Sequence, residues 1–198
     1  MISMDNLFCI ERLILVVLCF VCLSCKKSEL ILVQGQTHNY QIVISEDANL
    51  DEQKAAFTLQ KYIEAMSGKK LPIISETDLA SEKSIWVGAT LKTKGLDLEP
   101  SEIIYKVIGE GLIVAGGNSK STLNAVYTFL ENELGCRFYA PDVEMIPKGK
   151  KITLPIDLNY SYTPKITTRT VHSQLFYEDQ DFADKRKVTT EAFPDYVP

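Results

Sequence analysis

The chain has 198 residues, of which 45% are hydrophobic, 24% charged and 9% aromatic. This composition excludes disorder, collagen and coiled coil, and the length falls short of the roughly 250 residues of a complete (β/α)₈ barrel. A net charge of −5 argues against a nucleic-acid partner, which wants a clustered basic face, and two histidines, His38 and His172, cannot build a histidine-rich metal site.

The chain opens on an apolar run, Leu13 to Leu23, too short for the ~20 residues of a membrane span but suited to a signal-peptide core. Leu23-Ser24-Cys25 follows, then Lys26-Lys27-Ser28. A small residue before a cysteine at that place resembles a bacterial lipoprotein signal. Residues 1–24 are then a leader, Cys25 the lipidated first residue, and residues 25–29 a tether. Cys22 stands where such signals usually carry leucine, and Asp5 and Glu11 accompany Arg12 before the run. The expected location is the bacterial envelope, facing the periplasm or the cell surface. With Cys9, Cys19 and Cys22 removed and Cys25 acylated, Cys136 has no disulfide partner.

Beyond the tether, Leu30–Val33 and Gln41–Ser45 read as strands. Asn49, with Glu52 three residues on, has capping-box spacing and opens a helix. In that helix Ala56, Leu59, Ile63 and Met66 share one face, and Gly68 ends it. Strands follow at Leu71–Ile74, Ser84–Val87, Ile103–Ile108 and Leu112–Ala115, the last two joined through Gly109-Glu110-Gly111 as a hairpin. Gly116-Gly117-Asn118-Ser119-Lys120-Ser121-Thr122 lacks the Gly-Lys pair of a phosphate loop. It reads as a strand-to-helix turn capped by Asn118 or Ser119. In the second helix Leu123, Val126, Tyr127, Leu130 and Leu134 share a face, and Gly135 closes it. Arg137–Ala140 is extended, and Ile152–Leu154 is a last strand. A hairpin together with a strand-helix-strand crossover implies a mixed sheet, and two helices for so many strands imply both on one face. The class is α+β, over residues 30–155.

Residues 156–198 change character. Tyr160-Ser161-Tyr162-Thr163-Pro164 reads as a linker, and Ile166–Val171 is rich in β-formers. Tyr177–Lys187 is charged, with Glu178, Asp179, Asp181 and Asp184 exposed to solvent in this reading. Arg169 and His172, three apart on a strand, point to opposite faces. Cys136, after a helix C-terminus, is a buried structural thiol. Trp86, Phe138, Tyr139 and Tyr162 could form a sugar platform, although strand aromatics are more often core. No catalytic constellation emerges from the residues alone, and no cofactor or metal is expected.

The segment from Gly116-Gly117-Asn118-Ser119 to Phe129-Leu130-Glu131, continued by Leu134-Gly135-Cys136-Arg137-Phe138-Tyr139-Ala140-Pro141, resembles the N-terminal domain of bacterial α-glucuronidase-like glycoside hydrolases. That domain type also precedes the barrel in β-N-acetylhexosaminidases. Ala55-Ala56-Phe57-Thr58-Leu59-Gln60-Lys61-Tyr62-Ile63 with Met66-Ser67-Gly68 is similar to its first helix, and Ile85-Trp86-Val87-Gly88 to its next strand. The resemblance covers residues 30–155. It implies the hexosaminidase domain-2-like shape, related to the zincin fold but without zinc, packed beside a (β/α)₈ barrel that carries the catalytic carboxylates. The barrel would start near Ile166, so those carboxylates have no matching positions in this chain. Arg169 stands where hexosaminidase relatives place a substrate-binding arginine, although its flanking residues depart from their pattern.

The function expected is that of a non-catalytic domain of an exported polysaccharide-degrading hydrolase, in a chain truncated before most of its barrel. Its partners would be that barrel, in cis or from a split gene, an oligosaccharide, and the membrane through the lipid. A stand-alone carbohydrate-binding lipoprotein is the alternative and needs Trp86 and Tyr139 exposed on one face. A small hydrolase using the tail carboxylates is a third reading and needs an ordered pocket between tail and domain.

Overall fold

A computed structural model describes residues 29–35, 40–78 and 81–189. The leader with Cys25, most of the tether and His38 lie outside the described residues.

A six-stranded mixed sheet carries the molecule. Its strands, in chain order, are β2 (Gln41–Ile44), β3 (Ile73–Ser75), β4 (Ser84–Val87), β5 (Ile103–Ile108), β6 (Gly111–Gly116) and β10 (Asn159–Tyr162). The spatial order is β10-β5-β6-β4-β2-β3. β3, β2, β4 and β6 run parallel to one another, while β5 pairs antiparallel with β6 and with β10. Two antiparallel pairs lie outside this sheet: β1 (Glu29–Gln34) with β9 (Lys151–Pro155), and β7 (Arg137–Ala140) with β8 (Val143–Met145).

The strand pleat divides the core. Ile42, Ile85, Val87, Leu112, Val114 and Tyr105 face the large cluster under the helices. Val43, Trp86, Ile113, Ala115 and Ile104, each one residue out of phase, face a smaller cluster with Leu96 and Leu98. Both faces of β4 and β6 are therefore buried, which is why these strands read as continuous apolar runs rather than alternating ones.

Both helices lie on the large-cluster side, as expected from the sequence. α1 (Leu50–Ser67) begins at Asn49, whose side chain accepts the Glu52 amide at 3.1 Å while Glu52 Oε2 accepts the Asn49 amide at 3.2 Å. Glu52 serves twice, because its Oε1 also accepts the Ala89 amide at 2.9 Å. The turn after β4 is thereby tied to the helix start. Gly88 makes this approach possible: its φ is +80°, and an added Cβ would lie 2.6 Å from Glu52 Oε1. The helix ends at Gly68 in the left-handed conformation, as its sequence suggests. Replacing Asn49 by alanine removes one cap acceptor and is expected to cost about 1 kcal/mol, a fall in Tm of about 3 °C by calorimetry.

α2 (Ser119–Asn132) follows β6. The Asn118 side chain accepts the Ser121 amide at 2.7 Å, so the glycine-rich segment is a strand-to-helix turn.

Four expectations are corrected. The hairpin loop is two residues, since Gly111 already pairs with Ile108. The stretch around Tyr160 contains β10, an edge strand on β5, with Tyr160 stacked on Tyr105 at 4.4 Å between centroids. No strand forms at Ile166–Val171. The charged tail is docked rather than solvated: it forms α3 (Gln174–Glu178) and α4 (Gln180–Lys185), with Phe182, Ala183 and Val188 buried.

Candidate functional site

The tail is fixed to the domain by charge as well as by Phe182. Lys54 on α1 reaches Asp181 at 2.5 Å and Asp184 at 2.9 Å. Lys120 on α2 reaches Asp184 at 2.5 Å. Lys185, itself buried, reaches Glu144 on β8 at 2.5 Å, and Glu144 also accepts the Tyr62 hydroxyl at 2.9 Å. Lys187 pairs with Glu131 on α2. A buried carboxylate such as Asp184 is tolerated because two ammonium groups flank it, and removing either side would strand the other.

This clasp responds to pH. The hydrogen bond from Lys54 holds the Asp181 carboxyl below the usual aspartate range. Burial works against the Lys54 ammonium, but its bonds to Asp181 and Asp184 outweigh that and raise its pKa. A carboxylate lowered by folding stabilises the docked form fully above its ordinary value near 4, and that contribution is lost as pH falls through the lower folded value. The protection of the Phe182–Lys185 amides against exchange, relative to the free amide at the same pH, is therefore expected to fall below about pH 4 while α1 stays protected. An equal loss of protection in both would contradict this.

Of the four tail carboxylates, two are held by lysine. The other two serve local structure: Asp179 caps α4 by accepting the Phe182 amide at 2.8 Å, and Glu178 accepts from Gln174 at 2.5 Å. None of the four lines the cavity that the docked tail creates.

That cavity, of about 610 Å³, lies between α2, β10 and the tail. Asn124, Thr128 and Glu131 line it from α2, Tyr160 and Tyr162 from β10, and Arg169 and Arg186 from the tail. Arg169 is anchored there. Its Nε donates to the Lys187 carbonyl at 2.6 Å, its Nη1 to the Ile166 carbonyl at 3.0 Å, and its amide to Thr189 Oγ1 at 2.7 Å. It sits in irregular chain, not on a strand, so the expected opposite-face relation to His172 does not arise. The His172 ring is engaged with the Tyr177 hydroxyl at 2.8 Å and does not line the cavity.

Sequence reasoning missed Asn124, Lys165 and Arg186. The basic run Lys185-Arg186-Lys187 was the available signal, overshadowed by the neighbouring acids.

A second cavity, about 350 Å³, lies beside Trp86, with Glu76, Glu82, Glu110 and Lys92 around it. Glu76 accepts the Leu91 amide at 2.6 Å, and Lys83 stands 3.6 Å from Glu110. Trp86 is only 7% exposed and Tyr139 is 64% exposed, so the two form no shared platform. Phe138 is buried, Trp86 lines the smaller cavity, and of the four aromatics only Tyr162 lines the larger one. Burial pushes the Cys136 thiol up to about 11, leaving it an inert core group at neutral pH. Among the described residues no group of three or more His, Cys, Asp or Glu is placed to hold a metal ion, and no helix is long and apolar enough to cross a membrane.

No protein-family model matches the chain, and no curated protein matches it in sequence. Solved structures do match. A Streptomyces plicatus β-hexosaminidase mutant in complex with its product GlcNAc aligns over 83% of this chain and 31% of its own, at 9% identity and a TM-score of 0.50. An exo-β-N-acetylglucosaminidase of family GH20 from Vibrio harveyi aligns over 83% of this chain and 22% of its own, at 13% identity and a TM-score of 0.48. A family GH115 4-O-methyl-α-glucuronidase with specificity for decorated arabinogalactans aligns over 71% and 19%, at 13% identity and a TM-score of 0.46. The chain thus spans less than a third of each of these proteins. The α+β fold, a mixed sheet with its helices on one face, is one shared with part of a β-hexosaminidase.

Proposed function

We propose that the chain is the non-catalytic domain of an exported glycoside hydrolase of α-glucuronidase-like or hexosaminidase-like type. Its role is to support and orient a (β/α)₈ barrel supplied in cis or by a neighbouring gene. In this reading residues 1–24 direct export and Cys25 carries the lipid that holds the protein at the bacterial envelope. The leader sequence and the ordered motifs from Ala55 to Pro141 support it, as does the hexosaminidase-like fold.

The observation that carries the reading is the state of the carboxylates where the tail meets the domain. Glycoside hydrolysis needs two carboxyl groups about 5 to 10 Å apart across the scissile bond. Glu131 is the only carboxylate lining the larger cavity, and Lys187 is paired with it. Asp181 and Asp184 are occupied by Lys54 and Lys120. Among the described residues, tail chemistry of the small-hydrolase kind finds no free pair there, which supports the reading that the acid and the base or nucleophile would be carried by a barrel. The alternative, a free-standing carbohydrate-binding lipoprotein, is favoured by one observation, the Tyr162-rimmed cavity.

Sequencing the source DNA downstream of codon 198, with the adjacent genes, tests the proposal. Strand-helix units bearing paired carboxylates are the expected result. Unrelated genes on both sides of a closed frame would overturn the barrel partnership.

A further inference from the structure

We propose that the cavity between α2, β10 and the tail binds a saccharide ring that carries an oxyanion, a carboxylate or a sulfate. The chain is acidic, with a net charge of −5, yet this cavity is lined by Lys165, Arg169, Arg186 and Lys187 against a single carboxylate, Glu131. Four cations gathered in one concave site of an acidic protein make a local positive potential that the average composition does not provide.

The cations are held apart in graded ways. Lys187 is committed to Glu131. Arg169 is fixed by the Lys187 and Ile166 carbonyls. Arg186 gives Nη1 to the Phe138 carbonyl at 3.2 Å. Lys165 is exposed at the rim. Anchored guanidinium groups present a fixed fork to a planar carboxylate, whereas the lysine adds an adjustable point charge.

The neutral side of the site suits a sugar ring. Tyr160 and Tyr162, two apart on β10, share a face. Tyr160 is immobilised by its stack on Tyr105, whose rings lie within 5° of parallel. Tyr162 is half exposed and offers an apolar ring face to the C–H face of a pyranose. Asn124 lines the same cavity from α2, is only 9% exposed, and has no hydrogen-bond partner for its Oδ1. A buried acceptor without a donor costs free energy that a ligand hydroxyl would recover. A few convergent polar groups in a pocket of this size with an aromatic rim describe a small-molecule site.

The inference takes the sugar ring from the carbohydrate reading above and rests on it to that extent. Calorimetric titration of the full chain tests it, with a galacturonic acid trisaccharide, a sulfated galactan oligomer and a neutral galactan trisaccharide as probes. One or both anionic sugars are expected to bind at least about tenfold tighter than the neutral one, and more weakly as salt rises. The two anionic arms tell carboxylate from sulfate. Lys165→Gln and Tyr162→Ala alter exposed side chains, so both variants are expected to keep the parent Tm while losing about threefold to tenfold in affinity. Equal binding of the neutral sugar would overturn the anion site. So would no binding of any sugar, or tighter binding of a single-stranded oligonucleotide. A barrel found downstream together with no anion preference would sink this site alone and leave the proposed function standing.

Discussion

Replacing Phe138 by alanine is expected to lower the unfolding free energy by about 4 kcal/mol, the range for deleting a fully buried phenylalanine. Phe138 is 1% exposed and sits where three elements meet. Its ring meets Tyr62 of α1 edge-on at 5.3 Å and Tyr127 of α2 at 5.5 Å. The Lys185 ammonium of α4 lies 6.0 Å from the ring centroid, and Arg186 bonds its carbonyl. The deletion therefore opens a cavity under both helices and loosens the floor on which the tail is seated. A domain holds only about 5–15 kcal/mol in total, so the loss takes a large share. Urea denaturation should show a lower midpoint with an unchanged m value. A loss under about 1 kcal/mol would mean that Phe138 is not the junction described here.

Gly117→Ala is expected to cost about 3 kcal/mol, at the top of the usual range for overpacking. An added Cβ would be driven into the Glu99 carbonyl and against the Pro100 backbone. That backbone cannot simply recede. The Gly117 amide donates to the Glu102 carbonyl at 3.0 Å, Glu102 donates to the Glu99 carbonyl at 2.9 Å, and Ser121 Oγ donates to the Pro100 carbonyl at 2.8 Å. Gly149 supplies the control, since a Cβ there meets nothing nearer than the Lys151 carbonyl oxygen at 3.6 Å. Gly149→Ala should stay within about 0.5 kcal/mol of the parent. Thermal unfolding of the two variants side by side reads the difference, and equal midpoints would contradict the packing argument. The same geometry explains why two glycines precede Asn118: Gly117 lets the 99–102 segment approach, and Gly116 lets the first turn of α2, at Ser121 and Thr122, pack over the end of β6.

The elements whose causes are local were legible in the sequence. The Asn49–Glu52 box, the Gly68 terminator and the Asn118 cap act within a few residues, and all three form as read. Ser84–Val87, Ile103–Ile108 and Arg137–Ala140 also form with the expected bounds. What escaped were elements whose cause lies far along the chain. Asn159–Tyr162 has the composition of a turn and becomes a strand because β5 offers an open edge and Tyr105 a ring to stack on. Asp184 and Lys185 read as solvated charges because their counter-ions, Lys54, Lys120 and Glu144, lie 130, 64 and 41 positions away. Arg169 was singled out, but the strand assumed for it does not form. The cavity it lines draws on α2, β10 and the tail, a conjunction that no local pattern encodes.

The most direct test of the account is to incubate the purified full chain with oligogalacturonide and sulfated galactan oligomers and follow both binding heat and chain length of the sugar. Heat of binding with an anionic sugar and no new reducing ends are the expected result if, as proposed, this domain holds a glycan while the paired carboxylates reside on a barrel. Release of shorter oligomers by the purified chain would contradict it.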